Sequence, residues 1–156
     1  MAVVNAGVSG DTSADGLARL DWALAEPYDA AIVELGSNDA LRGLEVAQTQ
    51  ANVDAVITQL KAKGLAVMLA GMKAPRNLGP EYVTAFDAIY PALAKKHAVL
   101  FYPFFLDGVA ANLKLNQADG MHPNEAGTQI IVTRMLPFVE KLIQQVKAKP
   151  STAAVN

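Results

Sequence analysis

Short β-rich runs alternate with longer helical patterns along nearly the whole chain, and no other feature limits its fold as much. Ala2–Asn5 reads as the end of a strand. Leu65–Ala70 and Ala98–Tyr102 are continuous apolar runs of strand length, and Ala30–Leu35 is such a run interrupted at Glu34, as expected of buried strands. Thr12–Ala25 carries Leu17, Leu20 and Leu24 at helical spacing, with Asp11 or Thr12 as its N-cap. Glu45–Lys63 sets Val46, Val53, Val56, Ile57 and Leu60 on one helical face, and Gly64 ends it. Glu81–His97 is helical, with Pro91 expected to kink or split it. Asn124–Val146 is a closing helix, bent or broken at Pro137. The order β-α-β-α-β-α-β-loop-α calls for an α/β domain with a parallel sheet and helices on both faces. One domain spans residues 1–146, and residues 147–156 form a polar tail.

Composition narrows the partners. The chain has 156 residues, of which 52% are apolar and 18% charged, with a net charge of −2. A nucleic-acid partner would ask for a basic face, and nothing in this composition calls for one. The apolar runs Leu65–Ala70 and Ala98–Leu106 fall short of the roughly 20 residues of a membrane-spanning helix. Cysteine is absent, so disulfides and thiolate metal sites are excluded. Met1 leads straight into Ala-Val-Val without the basic region of an export signal.

In a parallel α/β sheet, ligands bind at the carboxyl ends of the strands. Three segments there carry unusual polar groups: Gly7-Val8-Ser9-Gly10-Asp11-Thr12, Gly36-Ser37-Asn38-Asp39 and Asp119-Gly120-Met121-His122-Pro123. In the last, Asp119 stands three residues before His122, within reach of its ring across a short glycine loop. A carboxylate on one imidazole nitrogen fixes the tautomer, and the other nitrogen is free to act as a general base. The competing reading is a surface loop in which Asp119 caps the following helix. Gly36 permits a tight turn after a buried strand, and Asn38 can then offer its side-chain N–H to a developing oxyanion. The same four residues would also suit an ordinary turn. Gly10 has an unobstructed backbone N–H and is a second donor of that kind. Glycines at 7, 10 and 16 do not match the G-x-G-x-x-G dinucleotide pattern, and no P-loop is present.

Taken together, Asn-Ala-Gly-Val-Ser-Gly-Asp-Thr, Glu-Leu-Gly-Ser-Asn-Asp and Asp-Gly-Met-His-Pro-Asn resemble three of the four signature blocks of the SGNH, or GDSL, hydrolases. Gly16-Leu17-Ala18-Arg19-Leu20, Leu41-Arg42-Gly43, Ala88-Ile89-Tyr90-Pro91 and Pro103-Phe104-Phe105 are similar to the bacterial acyl-CoA thioesterase I / arylesterase / lysophospholipase L1 group. The resemblance runs from Val3 to about Leu142. It implies a flavodoxin-like three-layer α/β/α sandwich and hydrolysis of acyl esters or thioesters through an acyl-enzyme. It also implies Gly10 and Asn38 as oxyanion donors, His122 as base and Asp119 as its orienter. No metal or cofactor is needed, and relatives of this group are commonly periplasmic.

The family's first block, Gly-Asp-Ser-Leu, has no counterpart in the 156 residues. The family's first strand and nucleophilic serine are therefore expected to be missing from this chain, which should turn over poorly. Ser9, Ser13 and Ser37 are the serines near the site by position. The rivals are a truncated, non-catalytic remnant of such an enzyme and a flavodoxin-like binding module.

Several other residues complete the reading. Leu44 and Met72, on the loops after two strands, are candidates for the acyl pocket. His97 is read as a solvated cation at a helix end. Glu34, inside an apolar strand, is a buried carboxylate that needs partners. Trp22, Phe86, Phe101, Phe104 and Phe105 are read as core. A metal set of Asp119, His122 and Asp39 offers a single well-placed His and is set aside.

Overall fold

A computed structural model describes residues 1–148. Nine helices and strands of regular α or β type are ordered α1 (Ser13–Ala18), α2 (Leu20–Ala23), β1 (Ala30–Val33), α3 (Ser37–Leu41), α4 (Val46–Ala62), β2 (Ala66–Ala70), α5 (Pro80–His97), β3 (Leu100–Tyr102) and α6 (Glu125–Ala148). The strands form one parallel sheet in the order β1-β2-β3. Ala30 pairs with Ala66 and Val33 with Leu69. Met68 pairs with Leu100 and Ala70 with Tyr102.

The central strand is buried along its whole length, so it is apolar without alternation. On one sheet face, Val33, Val67 and Leu69 pack with Val53, Ile57 and Leu60 of α4 and Phe86, Ile89 and Leu93 of α5. On the other, Ala66 and Met68 pack with Met135, Phe138 and Leu142 of α6. This is the three-layer α/β/α arrangement that the alternation implied. Among the described residues, no helix is long and apolar enough to cross a membrane.

Gly71 continues the sheet beyond its strands. Its N–H donates to the Tyr102 carbonyl at 2.8 Å, and its carbonyl accepts from the Phe105 N–H at 2.8 Å. A Cβ at this position would lie 2.4 Å from the Pro103 carbonyl oxygen, so only glycine lets the two chains approach so closely.

The elements differ from expectation in several places. Residues 2–5 form no strand and are exposed. A strand needs a neighbour's N–H and C=O groups, and this segment lies on no ladder. The helix expected over Thr12–Ala25 is broken at Arg19, whose backbone leaves helical geometry. Of the two outcomes expected at each proline, splitting does not occur: α5 continues through Pro91, and α6 through Pro137. α6 also continues through Lys147 and Ala148, the first residues of the expected tail; residues 149–156 lie outside the described residues. Trp22 is 76% exposed rather than in the core. His97 is not solvated: its side chain is 11% exposed and its Nε2 lies 2.6 Å from Asp54 Oδ1, joining α5 to α4.

Candidate active site

Because the three strands are parallel, residues 34–38, 71–75 and those from 103 onward leave the sheet at one rim. The Gly7–Thr12 and Gly36–Asp39 segments meet at this rim, and the Asp119–Pro123 segment leads into the start of α6.

The turn after β1 depends on Gly36. Its φ of 105° lies in the region that side-chain-bearing residues avoid. The Tyr90 hydroxyl donates to the Leu35 carbonyl at 2.9 Å, and a Cβ on Gly36 would stand 2.4 Å from that hydroxyl. Burial pushes the Tyr90 phenol well above its usual range, so it remains a donor. The chain then enters α3 with Asn38 in its first turn. Asn38 Nδ2 donates to the Asp11 carbonyl at 2.8 Å. An amide nitrogen carries two hydrogens, so one remains for another acceptor.

The segment before α1 is braced from several sides. Arg19 Nε donates to Asp11 Oδ2 at 2.5 Å and its Nη1 to the Ala6 carbonyl at 2.6 Å. Arg42 Nη2 donates to the Gly10 carbonyl at 2.8 Å. Thr12 and Asp15 then form a reciprocal capping box at the start of α1. The Gly10 N–H donates to none of the described residues. The Gly10 and Asn38 segments are therefore in direct contact, through Asn38 and Asp11.

Asp119 and His122 form a pair. His122 Nδ1 lies 2.7 Å from Asp119 Oδ2, while Asp119 Oδ1 accepts from the backbone N–H of Met121 at 2.9 Å and of His122 at 3.0 Å. The backbone contacts fix the carboxylate before it meets the ring. With the Nδ1 proton directed at Asp119, Nε2 presents its lone pair. The hydrogen bond from His122, followed by those from the two backbone N–H groups, lowers the Asp119 carboxyl from 3.8 to about 2. A lowered carboxyl pKa means that the pair contributes fully above about pH 4 and is lost as pH falls through about 2. A carbon-detected titration should place the Asp119 midpoint near 2; a midpoint at 3.8 or above would contradict this pairing.

The remaining candidates are distributed differently. Met72 is buried in the core beneath the rim, whereas Leu44 is 40% exposed. The Tyr82 hydroxyl, in the first turn of α5, donates to the Leu44 carbonyl at 2.8 Å and ties that helix to the loop carrying Leu44. Glu34 Oε1 is buried without a hydrogen-bond partner among the described residues, and burial raises its pKa. The partners expected for this carboxylate are not present as hydrogen bonds among the described residues. Asp39 is buried against Ser13 and Thr49, while Asp119 and His122 are exposed on a different loop. Among the described residues, no three His, Cys, Asp or Glu side chains gather as metal ligands.

Sequence reasoning missed the network beneath the site. Asp39, one of the four residues that would suit an ordinary turn, accepts from the Ser13 N–H at 2.7 Å, Ser13 Oγ at 2.5 Å and Thr49 Oγ1 at 3.1 Å. Asn52 Nδ2 donates to Ser13 Oγ at 3.0 Å. The available signal was a polar Thr49 and Asn52 on the otherwise apolar face of α4.

Comparison with known proteins matches residues 1–130 to the GDSL-like Lipase/Acylhydrolase family. Esterase TesA of Pseudomonas aeruginosa is 44% identical over 142 residues, covering 90% of this chain and 71% of that protein. Thioesterase 1/protease 1/lysophospholipase L1 of Escherichia coli is 39% identical over 143 residues, covering 91% of this chain and 69% of that protein. A crystal structure of TesA superposes with a TM-score of 0.85 at 42% identity, covering 90% of this chain and 79% of that one. On sequence and fold alike, this chain belongs to the GDSL-like lipase/acylhydrolase family.

Proposed function

We propose that this chain is an ester hydrolase for carboxylic esters or thioesters of acyl groups, with His122 as general base, Asp119 as its orienter, and Gly10 and Asn38 as oxyanion donors. The observation that carries this reading is the 2.7 Å Asp119–His122 pair, held by two backbone N–H groups before the last helix. Membership of a hydrolase family favours it over a flavodoxin-like binding module.

The steps follow from these atoms. A hydroxyl oxygen attacks the acyl carbonyl carbon while His122 Nε2 takes its proton. Negative charge gathers on the carbonyl oxygen, where the Gly10 N–H and the second Asn38 N–H donate to it. The tetrahedral species collapses, the bond to the leaving oxygen or sulfur breaks, and His122 returns the proton to that atom. In the acyl-enzyme route the attacking hydroxyl belongs to a serine, and a water then repeats the cycle to release the acid.

Ser13 is a poor candidate for that serine. It is fully buried and already donates to Asp39. Ser37 opens α3, and Ser9 lies on the exposed turn beside Gly10. With no Gly-Asp-Ser-Leu in the 156 residues, these residues alone should hydrolyse a nitrophenyl ester only at a residual rate, about 10³–10⁴-fold above the uncatalysed reaction. Mass spectrometry should find no acylated serine. Turnover of about 1 s⁻¹ or more, abolished by His122→Ala and accompanied by acylation of Ser9 or Ser37, would show that the nucleophile is in this chain. Turnover no faster than buffer would count against the hydrolytic reading.

A further inference from the structure

We propose that Asp39, through its bonds to Ser13, is a positioning residue that sets the spacing of the two oxyanion donors; this rests on the hydrolytic reading above. Asp39 directly follows Asn38, and Ser13 lies three residues after Gly10. One carboxylate therefore joins the two donor segments from within the molecule. It is 2% exposed and takes three hydrogen bonds, two from Ser13 and one from Thr49. Bonds to an ionised acceptor are short and strong, and a buried carboxylate tolerates its site only when met by donors.

The bonds reach a rigid support. Thr49 and Asn52 belong to α4, whose next turns are packed in the core. Asn52 holds Ser13 Oγ at 3.0 Å, and Gln48 Nε2 in turn donates to Asn52 Oδ1 at 3.0 Å. Above this network, among the described residues, the donor segments are joined by Asn38 Nδ2 to the Asp11 carbonyl and by the Arg42 brace on Gly10. An oxyanion hole works only if its donors are held within about 0.5 Å of their productive places. The surface bonds of Asn38 and Arg42 join the segments at one side, and a buried carboxylate anchored on α4 fixes them from beneath. Asp39→Asn keeps the shape but turns an N–H₂ toward Ser13 or Thr49 donors, pushing the two segments apart.

The test is a kinetic cycle on ester hydrolysis with Asp39→Asn, Asn38→Ala and the double variant. Asp39→Asn should lower kcat about 10–100-fold, within the range for losing one oxyanion donor, with KM moving less than about threefold. In the Asn38→Ala background the same change should cost less than about threefold, because the donor it positions is gone. Equal costs in both backgrounds, or kcat within about twofold of the parent, would overturn the proposal. If the parent hydrolyses no ester above buffer, the hydrolytic reading fails by itself. Positioning is then read from the NMR signals of the Gly10 amide and the Asn38 side-chain amide. Both should shift in Asp39→Asn, and less far in the same direction in Thr49→Val, which removes one bond and keeps the Ser13 pair. Unmoved signals in a folded variant would overturn it.

Discussion

Replacing Asn38 with alanine is expected to lower kcat for ester hydrolysis about 10²–10³-fold, equivalent to about 2.7–4 kcal/mol of transition-state stabilisation, with KM little changed. The asymmetry follows from when the charge appears. In the bound ester the carbonyl oxygen is nearly neutral and a weak acceptor. At the transition state it is an oxyanion, and a donor already fixed in place stabilises it without reorganising. Asn38 is fixed in this sense, because one of its N–H groups is held on the Asp11 carbonyl at 2.8 Å. Its loss should therefore leave ground-state binding intact and remove an interaction made only as the reaction proceeds. Steady-state kinetics on a short-chain nitrophenyl ester decide the matter. A variant that retains kcat but binds its substrate more weakly would assign Asn38 to binding instead.

Gly36→Ala should cost about 2–6 kcal/mol of folding stability, from two causes that add. A side-chain-bearing residue at a φ of 105° is strained by about 1–3 kcal/mol. The new Cβ would also meet the Tyr90 hydroxyl at 2.4 Å and Thr49 Cγ2 at 3.2 Å, and crowding of this kind costs about 1–3 kcal/mol. Neither neighbour yields easily. Tyr90 is 1% exposed and bonded to the Leu35 carbonyl, and Thr49 is bonded to Asp39. Relief by moving the turn would carry Asn38 away from Asp11, so activity should fall even where the variant still folds. Urea unfolding measures the first effect; a loss below about 1 kcal/mol would mean that the turn is looser than this packing implies.

Much of the frame was legible because it rests on repeated local signals. The runs at Ala30–Leu35 and Leu65–Ala70, and the apolar face from Val46 to Leu60, are bounded by Gly36 and Gly64, both at positive φ. The segment 2–5 shows where such reading stops. A strand is completed by a partner's backbone, and composition cannot say whether a partner lies alongside. Pro91 and Pro137 do not split their helices, since a helix packed along its length survives the loss of one hydrogen bond. Trp22 and His97 were misplaced for a similar reason: a single residue's burial depends on what the fold brings against it.

The site was legible to the extent that its chemistry is local. Asp119 and His122 lie three residues apart on a glycine loop, and their pairing could be anticipated from spacing. The contact of Asn38 with Asp11 spans 27 positions, and the Ser13–Asp39 bonds span 26. Nothing in the neighbourhood of either residue announces those contacts. Serine before a helix and aspartate in a turn both have ordinary local duties.

The spatial relation of the donor turn to the His122 loop can be measured in solution. The chain contains no cysteine, so Met121→Cys offers a single attachment point for a nitroxide, on a side chain that is 49% exposed. Paramagnetic broadening of amide signals then reports which parts of the molecule lie near the loop. The expected result is strong broadening of the Gly10 amide and the Asn38 side-chain amide, with Lys63 and Leu65, at the opposite end of the sheet, left sharp. Sharp Gly10 and Asn38 signals beside a broadened Lys63 or Leu65 would place His122 at the wrong rim and contradict the shared site.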